Sequence, residues 1–308
     1  MIGMCSGENL VLPTRRSIMT THELAIAAIV RDEQPFMDEW LLYHRFLGAD
    51  HFFLYDDNQE PGMEAFLAPH REYTTVIRWH NVHHQFPSKR GDRQTGAYLH
   101  CLANFLLEYQ WVAFIDIDEF IVLNKHQNIK DFIDSFSDAQ SISLNWHRFG
   151  HNGHYDDPKL VTAELTRRKL EPATLGKCIT RCDAIDDIVS VHQCKLRNDS
   201  KIVDANGRPY EKALYPGKTD TACLNHYMCR SFAQWMGRPT RGDAHVVPSL
   251  PRDAWRFSKE ECLRKFVTDV ALDWNEHADN YLLSHKSTLE KAIQSIRSNE
   301  PNKTGDQA

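Results

Sequence analysis

The chain has 308 residues, 42% hydrophobic and 25% charged, which suits one large domain or two ordinary ones and excludes collagen-like, low-complexity and disordered classes. Thirty-six Lys and Arg against 42 Asp and Glu leave a net charge of −6, so no global positive field favours nucleic acid or anionic lipid, and an anionic ligand must be handled locally. No apolar run approaches a membrane span, the N-terminus lacks a secretory apolar region, and eight scattered Cys suit reduced, buried thiols; together these predict a cytoplasmic protein.

Residues 1–21 show no periodicity and read as a flexible start. Leu24 to Val30 is a continuous apolar run, as expected of a strand buried on both faces of a mostly parallel sheet. Pro35 then opens a helix whose apolar residues, Phe36 to Leu47, recur at helical spacing up to a stop at Gly48. Strands are predicted at His51–Tyr55, Thr74–Trp79 and Trp111–Ile115, with a helix over Gln94–Tyr109, a short helix over Ile129–Phe136 and a strand over Ser141–Asn145. This alternation predicts an α/β fold with a Rossmann-like, mostly parallel sheet flanked by helices. The second half is less regular, with short strands at Lys177–Arg181, Asp187–His192 and Ala222–Tyr227 and a hairpin turn at Val203–Gly207. Capping boxes at Ser258-x-x-Glu261 and Ser287-x-x-Glu290 open a helical C-terminal extension, 251–298, ahead of a disordered tail, 299–308.

Three strands end in acids: Asp32 and Glu33, Asp56 and Asp57, Asp116 and Asp118. In parallel sheets ligands sit beyond the carboxyl ends of strands. Asp116-x-Asp118 is the sharpest feature, because two carboxylates one residue apart at such an end can reach one hard cation, Mg²⁺ or Mn²⁺. A solvated acidic turn is the bland reading. A competing zinc site of Cys178, Cys182, His192 and Cys194 has no recognised spacing, and buried thiols are the simpler account.

Ile29-Val-Arg-Asp-Glu33, Glu39-Trp40, Tyr43-His44, Gly48 and Phe53-Leu-Tyr-Asp-Asp57 come first in an ordered set. Gln94-x-x-Ala97-Tyr98 with Cys101, Trp111-x-x-Phe-Ile-Asp-Ile-Asp-Glu-Phe120, Trp146-x-x-Phe-Gly150-x-x-Gly-His154, Lys177-x-Ile179, Leu224-Asn-His-Tyr227 and Arg241-Gly242 follow. Over residues 22–245 this set resembles glycosyltransferase family 92 and family 2-like proteins with the GT-A fold. The resemblance implies a GT-A domain over 22–250, with a nucleotide-binding half (22–120) and an acceptor-binding half (121–250). It also implies metal-dependent, inverting transfer of a hexose from a nucleotide diphosphate donor, UDP-galactose or UDP-glucose, to a glycan or lipid-linked acceptor. The setting it suggests is a bacterial polysaccharide pathway, with peripheral membrane association left open. Four positions in three places depart from the usual pattern: Asp32 for Asn, Cys182 for Pro, and Cys229-Arg230-Ser231 for Thr-Lys-Ser.

On that resemblance Asp118 ligates Mn²⁺ or Mg²⁺, Asp116 binds ribose or the metal through water, and His226 or His192 completes the metal site. Lys177, Arg230 and Arg241 are candidates for the diphosphate, and Asp56, Asp57, Arg31 and Glu33 for the nucleoside; Gln94 joins the donor set. Asp156, Asp157 and His154 are candidates for the base that takes the acceptor proton. Trp146 and Phe149 are candidates to stack on a sugar face. A noncatalytic nucleotide-sugar or glycan-binding module on the same fold is the rival from another class. A metal-dependent phosphotransferase is disfavoured because Phe120 stands where such enzymes need Thr or Val.

Overall fold

The computed structural model describes residues 22–80, 92–198, 200–210, 218–241 and 258–298, without the side chains of His22, Thr240 and Arg241. The expected flexible start and tail lie outside these residues, as do Gly242 and residues 251–257 of the expected extension. The strands are β1 (His22–Val30), β2 (His51–Asp56), β3 (Thr74–Arg78), β4 (Tyr109–Phe114), β5 (Glu119–Leu123), β6 (Ser141–Arg148), β7 (Arg167–Arg168), β8 (Gly176–Arg181), β9 (Ile185–Asp187), β10 (Lys195–Leu196), β11 (Ile202–Asp204), β12 (Ala222–His226) and β13 (His277–Ala278). The α-helices are α1 (Gln34–Leu47), α2 (Met63–Phe66), α3 (Arg93–Asn104), α4 (Ile129–Asp134), α5 (Val161–Glu164), α6 (Phe232–Arg241), α7 (Lys259–Lys265) and α8 (Lys286–Ser298).

Nine strands form one sheet in the order β3-β2-β1-β4-β8-β6-β12-β5, with β11 beside the first half of β6. Only β8 and β5 run against the rest. The expected mostly parallel sheet between helices is therefore present. The apolar run of β1 has the burial it predicts: Leu24, Ile26, Ala28 and Val30 pack with Trp40 and Leu41 of α1, while Ala25 and Ala27 pack with Ala97 and Tyr98 of α3 on the other face.

The sheet is not flat. Four strand steps separate β4 from β5, roughly 19 Å at about 4.8 Å each. The four residues joining them contain a turn, Glu119 N–H to Asp116 C=O at 3.0 Å, and are too short for that span. The sheet therefore curls until β5 returns beside the end of β4.

Side chains of α1 cover the outer edge of β5. Trp40 Nε1 donates to Glu119 C=O (2.9 Å), Tyr43 OH donates to Ile121 C=O (2.6 Å), and Ile121 N–H donates to His44 Nε2 (3.2 Å). An exposed row of unpaired backbone groups would otherwise invite edge pairing. The parallel strands all end on one edge of the sheet, and the antiparallel β5 and β8 begin there.

Four sequence expectations change. The strand β5 was not foreseen, because its apolar run, Phe120–Leu123, is only four residues long and follows directly on the acidic turn. The helix expected over Gln94–Tyr109 stops at Asn104, since Phe105 stacks on Phe53 (4.8 Å) and Tyr109 joins the sheet opposite His22. The strand expected at Asp187–His192 is only Ile185–Asp187; Ile185, Ile188, Val191 and Cys194 are buried at a spacing of three, which no strand alternation matches. The Ser258–Glu261 capping box forms, whereas Ser287 lies inside α8, which begins one residue earlier after a 3₁₀ turn at Tyr281–His285.

Candidate functional site

The curl brings the ends of β4 and β12 together with the starts of β5 and β8. Lys177, the second residue of β8, is buried and places Nζ 3.1 Å from Asp116 Oδ2 and 3.7 Å from Glu119 Oε2. Its neighbour Gly176 allows this. A Cβ there would stand 1.8 Å from Leu144 C=O, so only glycine lets β8 lie this close to β6. Burial alone would lower the Lys177 pKa, but Asp116 and Glu119 outweigh it and raise it above the ordinary lysine range. The other Asp116 oxygen accepts from Gln94 Nε2 at 2.6 Å, with the Tyr98 hydroxyl at 3.5 Å, and Asp116 N–H donates to Glu119 Oε2 at 2.8 Å. Burial, together with Asp116 and Asp118, pushes the Glu119 carboxyl well up against the pull of Lys177.

Asp118 faces the other way. Its Oδ1 lies 3.5 Å from His226 Nε2 and has no hydrogen-bond partner among the described residues. Burial would raise its pKa, but His226, Arg230 and Arg238 hold it well below the usual carboxylate range. His226 ends β12 directly opposite Glu119 in the ladder. The Trp146 ring lies 4.5 Å from the His226 ring and 5.2 Å from the His192 ring, and His192 Nδ1 lies 3.2 Å from Gly176 C=O. His226 therefore adjoins Asp118, and both histidines lie against Trp146.

Arg230 enters from the segment after β12. It is 3% exposed, donates to Glu33 Oε2 and lies 3.8 Å over the Phe36 ring, while its Nε and second terminal nitrogen have no hydrogen-bond partner among the described residues. Its backbone is left-handed, φ 50°, a conformation costly for a bulky residue and held here by the buried side chain. Arg238 of α6 donates to Met228 C=O and lies over Trp235. Arg241 closes α6, but its side chain lies outside the described residues.

At the end of β2, Asp56 accepts from Arg78 (2.9 Å) and Asn58 (2.6 Å), and Asp57 pairs with Arg93 at 3.3 Å. Arg31 is half-buried at the end of β1. In the loop after β6, Ser231 Oγ and Gln234 Nε2 both donate to the Asp157 carboxylate at 2.8 Å, and Ser231 in turn accepts from Gln234 N–H, capping α6. Asp156 is exposed, and His154 is half-buried with its C=O accepting from Phe232 N–H. Phe149 is 1% exposed against Tyr227, at 4.4 Å, so it supports the core and presents no face to a ligand.

Among the described residues no three His, Cys, Asp or Glu side chains form a ready-made metal cage. Cys178, Cys182 and Cys194 are buried and form no disulfide, and burial pushes the Cys178 thiol up to about 11, away from the thiolate that zinc requires. Asp118 and His226 do fit a cation that takes its remaining ligands from diphosphate and water: one anionic oxygen and one imidazole face each other, and the nearer carboxylate oxygen is without a hydrogen bond.

The model of glycosyltransferase family 92 matches residues 25–246. The chain belongs to glycosyltransferase family 92. A family 92 protein of Oryza sativa subsp. japonica is 29% identical over 189 residues, covering 59% of this chain and 31% of that protein. One of Ricinus communis is 25% identical over 260 residues, 80% of this chain and 42% of that protein. The chain thus spans about a quarter to two fifths of the length of the curated relatives it matches. A solved bifunctional glycosyltransferase, WbbM, is similar over 43% of this chain at 12% identity with a TM-score of 0.27, too distant a likeness to carry an argument.

The departures from the family 92 pattern have local accounts. Asp32 has φ 56°, and Asp tolerates that left-handed conformation much as Asn does. Cys182 starts a 3₁₀ turn and is buried against the α3 side of the sheet. Glu119, Tyr98 and Arg238 received no site role from sequence. The signal for Glu119 was available, a carboxylate opening an otherwise apolar run; Arg238 lies 120 residues from Asp118 in sequence and carried none.

Proposed function

We propose that this chain is a GT-A-type glycosyltransferase that moves a hexose from a nucleoside diphosphate donor, with inversion and with a divalent cation, Mn²⁺ or Mg²⁺, held by Asp118 and His226. The opposed Asp118–His226 pair beside the buried Arg230 carries this reading. The cation would supply charge stabilisation to the departing diphosphate. Lys177 and Gln94 fix the two Asp116 oxygens, and Glu119 fixes its backbone, so the turn presenting Asp118 is preorganised. The nitrogens of Arg230 that lack partners offer two donors to the leaving phosphate oxygens.

In an inverting displacement the acceptor oxygen bonds to the anomeric carbon as the bond to the diphosphate breaks on the opposite face, and the acceptor proton passes to a base. Both Asp157 oxygens brace α6. Asp156 is the base in this reading, with His154 as the alternative on the same loop. UDP-glucose or UDP-galactose is the proposed donor, its nucleoside at the ends of β1 and β2, and Trp146 beside His226 is the proposed stacking face. The acceptor is a glycan or lipid-linked hydroxyl. No described helix is long and apolar enough to cross a membrane.

Purified protein with Mn²⁺ is expected to hydrolyse a UDP-hexose slowly, and Asp118→Asn to abolish this. UDP affinity that neither metal nor that substitution changes would overturn the proposal, and binding without any turnover would favour a noncatalytic module.

A further inference from the structure

A cavity of about 430 Å³ opens on the sheet face opposite the Asp118–His226 pair. Side chains alternate along a strand, and His147 of β6 and Asn225 of β12 are register partners, so both face away from the side that carries Trp146 and His226. These two polar residues line the cavity floor at 6% and 2% exposure. One wall is the Arg168–Asp279 ion pair, at 2.7 Å, where β7 meets β13. Asn124, Asp220 and His277 form an exposed rim.

We propose that this cavity binds a pyranose unit of a neutral saccharide, at a site separate from the transfer site. His147 Nδ1 is buried with no hydrogen-bond partner among the described residues, a costly state unless a hydrogen-bonding occupant meets it, whereas Asn225 already donates to the Tyr227 hydroxyl at 3.4 Å and accepts from Cys223 Sγ. Burial, with Arg168 nearby, lowers the His147 pKa to about 4, so at neutral pH its ring offers one donor and one acceptor. The Arg168 charge is met by Asp279, which leaves no surplus cation for a phosphate, and Asp220 is a single exposed carboxylate at the rim, too solvated to select a cation. The amides and the neutral His147 imidazole supply donors and acceptors together, which complements adjacent sugar hydroxyls that each donate and accept. The volume lies in the roughly 300–1,000 Å³ range of small-molecule sites.

The test is a titration of the full chain, labelled with ¹⁵N-histidine, with methyl β-glucoside, methyl β-galactoside and methyl α-mannoside, the His147 signals being assigned from His147→Gln. At least one glycoside is expected to shift the His147 imidazole signals saturably. His277→Ala should weaken that binding about fivefold, the worth of one ordinary hydrogen bond, and Asp220→Ala about tenfold or more, the worth of a hydrogen bond to a charged group. Calorimetry on these rim variants reads the same binding if His147→Gln fails to fold. The titration should be unchanged in Asp118→Asn, so it stands apart from the donor chemistry. Three outcomes would overturn the proposal: no response to any glycoside, a response only to inorganic phosphate or ethylammonium, or rim variants with unaltered affinity.

Discussion

Lys177 Nζ sits beneath the Asp-x-Asp turn, 3.1 Å from Asp116 Oδ2 and 3.7 Å from Glu119 Oε2, with 1% of its side chain exposed. A lysine in that position is committed to holding two carboxylates and has no surface left for a diphosphate. Lys177→Met should therefore leave Glu119 and Asp116 without their cation and cost about 2–3 kcal/mol of stability, less than for a fully buried pair because the Asp116 side chain is 34% exposed. Urea unfolding of the two proteins measures this; a loss below about 1 kcal/mol, the scale of a surface ion pair, would show that the pair is solvated.

Arg230 is expected to act on the donor. Arg230→Lys keeps one charge and the same left-handed backbone requirement but loses the planar fork, so KM for the nucleotide sugar should rise about ten- to a hundredfold, equivalent to one or two charged hydrogen bonds. Steady-state kinetics with Mn²⁺ present decides it, and an unchanged KM with lowered stability would reassign Arg230 to structure.

The two adjacent aspartates of the 151–157 loop should separate cleanly. Asp156→Asn should lower kcat by about 10²–10⁴ with the thermal midpoint unchanged. Asp157→Asn should instead destabilise by about 1 kcal/mol, the scale of a lost helix cap. Should kcat fall only in His154→Gln, proton removal belongs to His154.

His44 gives the protein a defined acid sensitivity. Its Nε2 accepts from Ile121 N–H while Nδ1 meets Trp40 C=O at 2.9 Å, an arrangement that requires the neutral ring, and burial lowers its pKa to about 3. The unfolded chain binds the proton more readily, so the contribution is complete above about pH 6.5 and falls by about 1.4 kcal/mol per pH unit between there and pH 3. His147, lowered to about 4, acts in the same direction. Denaturant midpoints from pH 7 to pH 4 should therefore fall more steeply for the parent protein than for His44→Gln, and equal slopes would refute the assignment.

The family and the general architecture were written locally. The apolar run of Leu24–Val30 reads as a strand covered on both faces and Phe36 to Leu47 as a helix, which the structure buries over six consecutive residues, Glu39 to His44, and the motifs ordered over 22–245 cover nearly the same stretch as the family match at 25–246. The Asp-x-Asp turn was legible because residues adjacent in sequence remain adjacent at a strand end. The functions of Lys177, Glu119 and Phe149 were not. Lys177 meets Asp116 across 61 residues of chain, and which strands neighbour β4 depends on sheet order, which periodicity does not encode. The same holds for Trp40, Tyr43 and His44, whose recurrence with the family pattern became intelligible only when the curl brought β5 against α1. Composition and pattern decided which elements form; closure of the sheet decided which charges meet, because burial and proximity are properties of the packed chain and not of any segment of it.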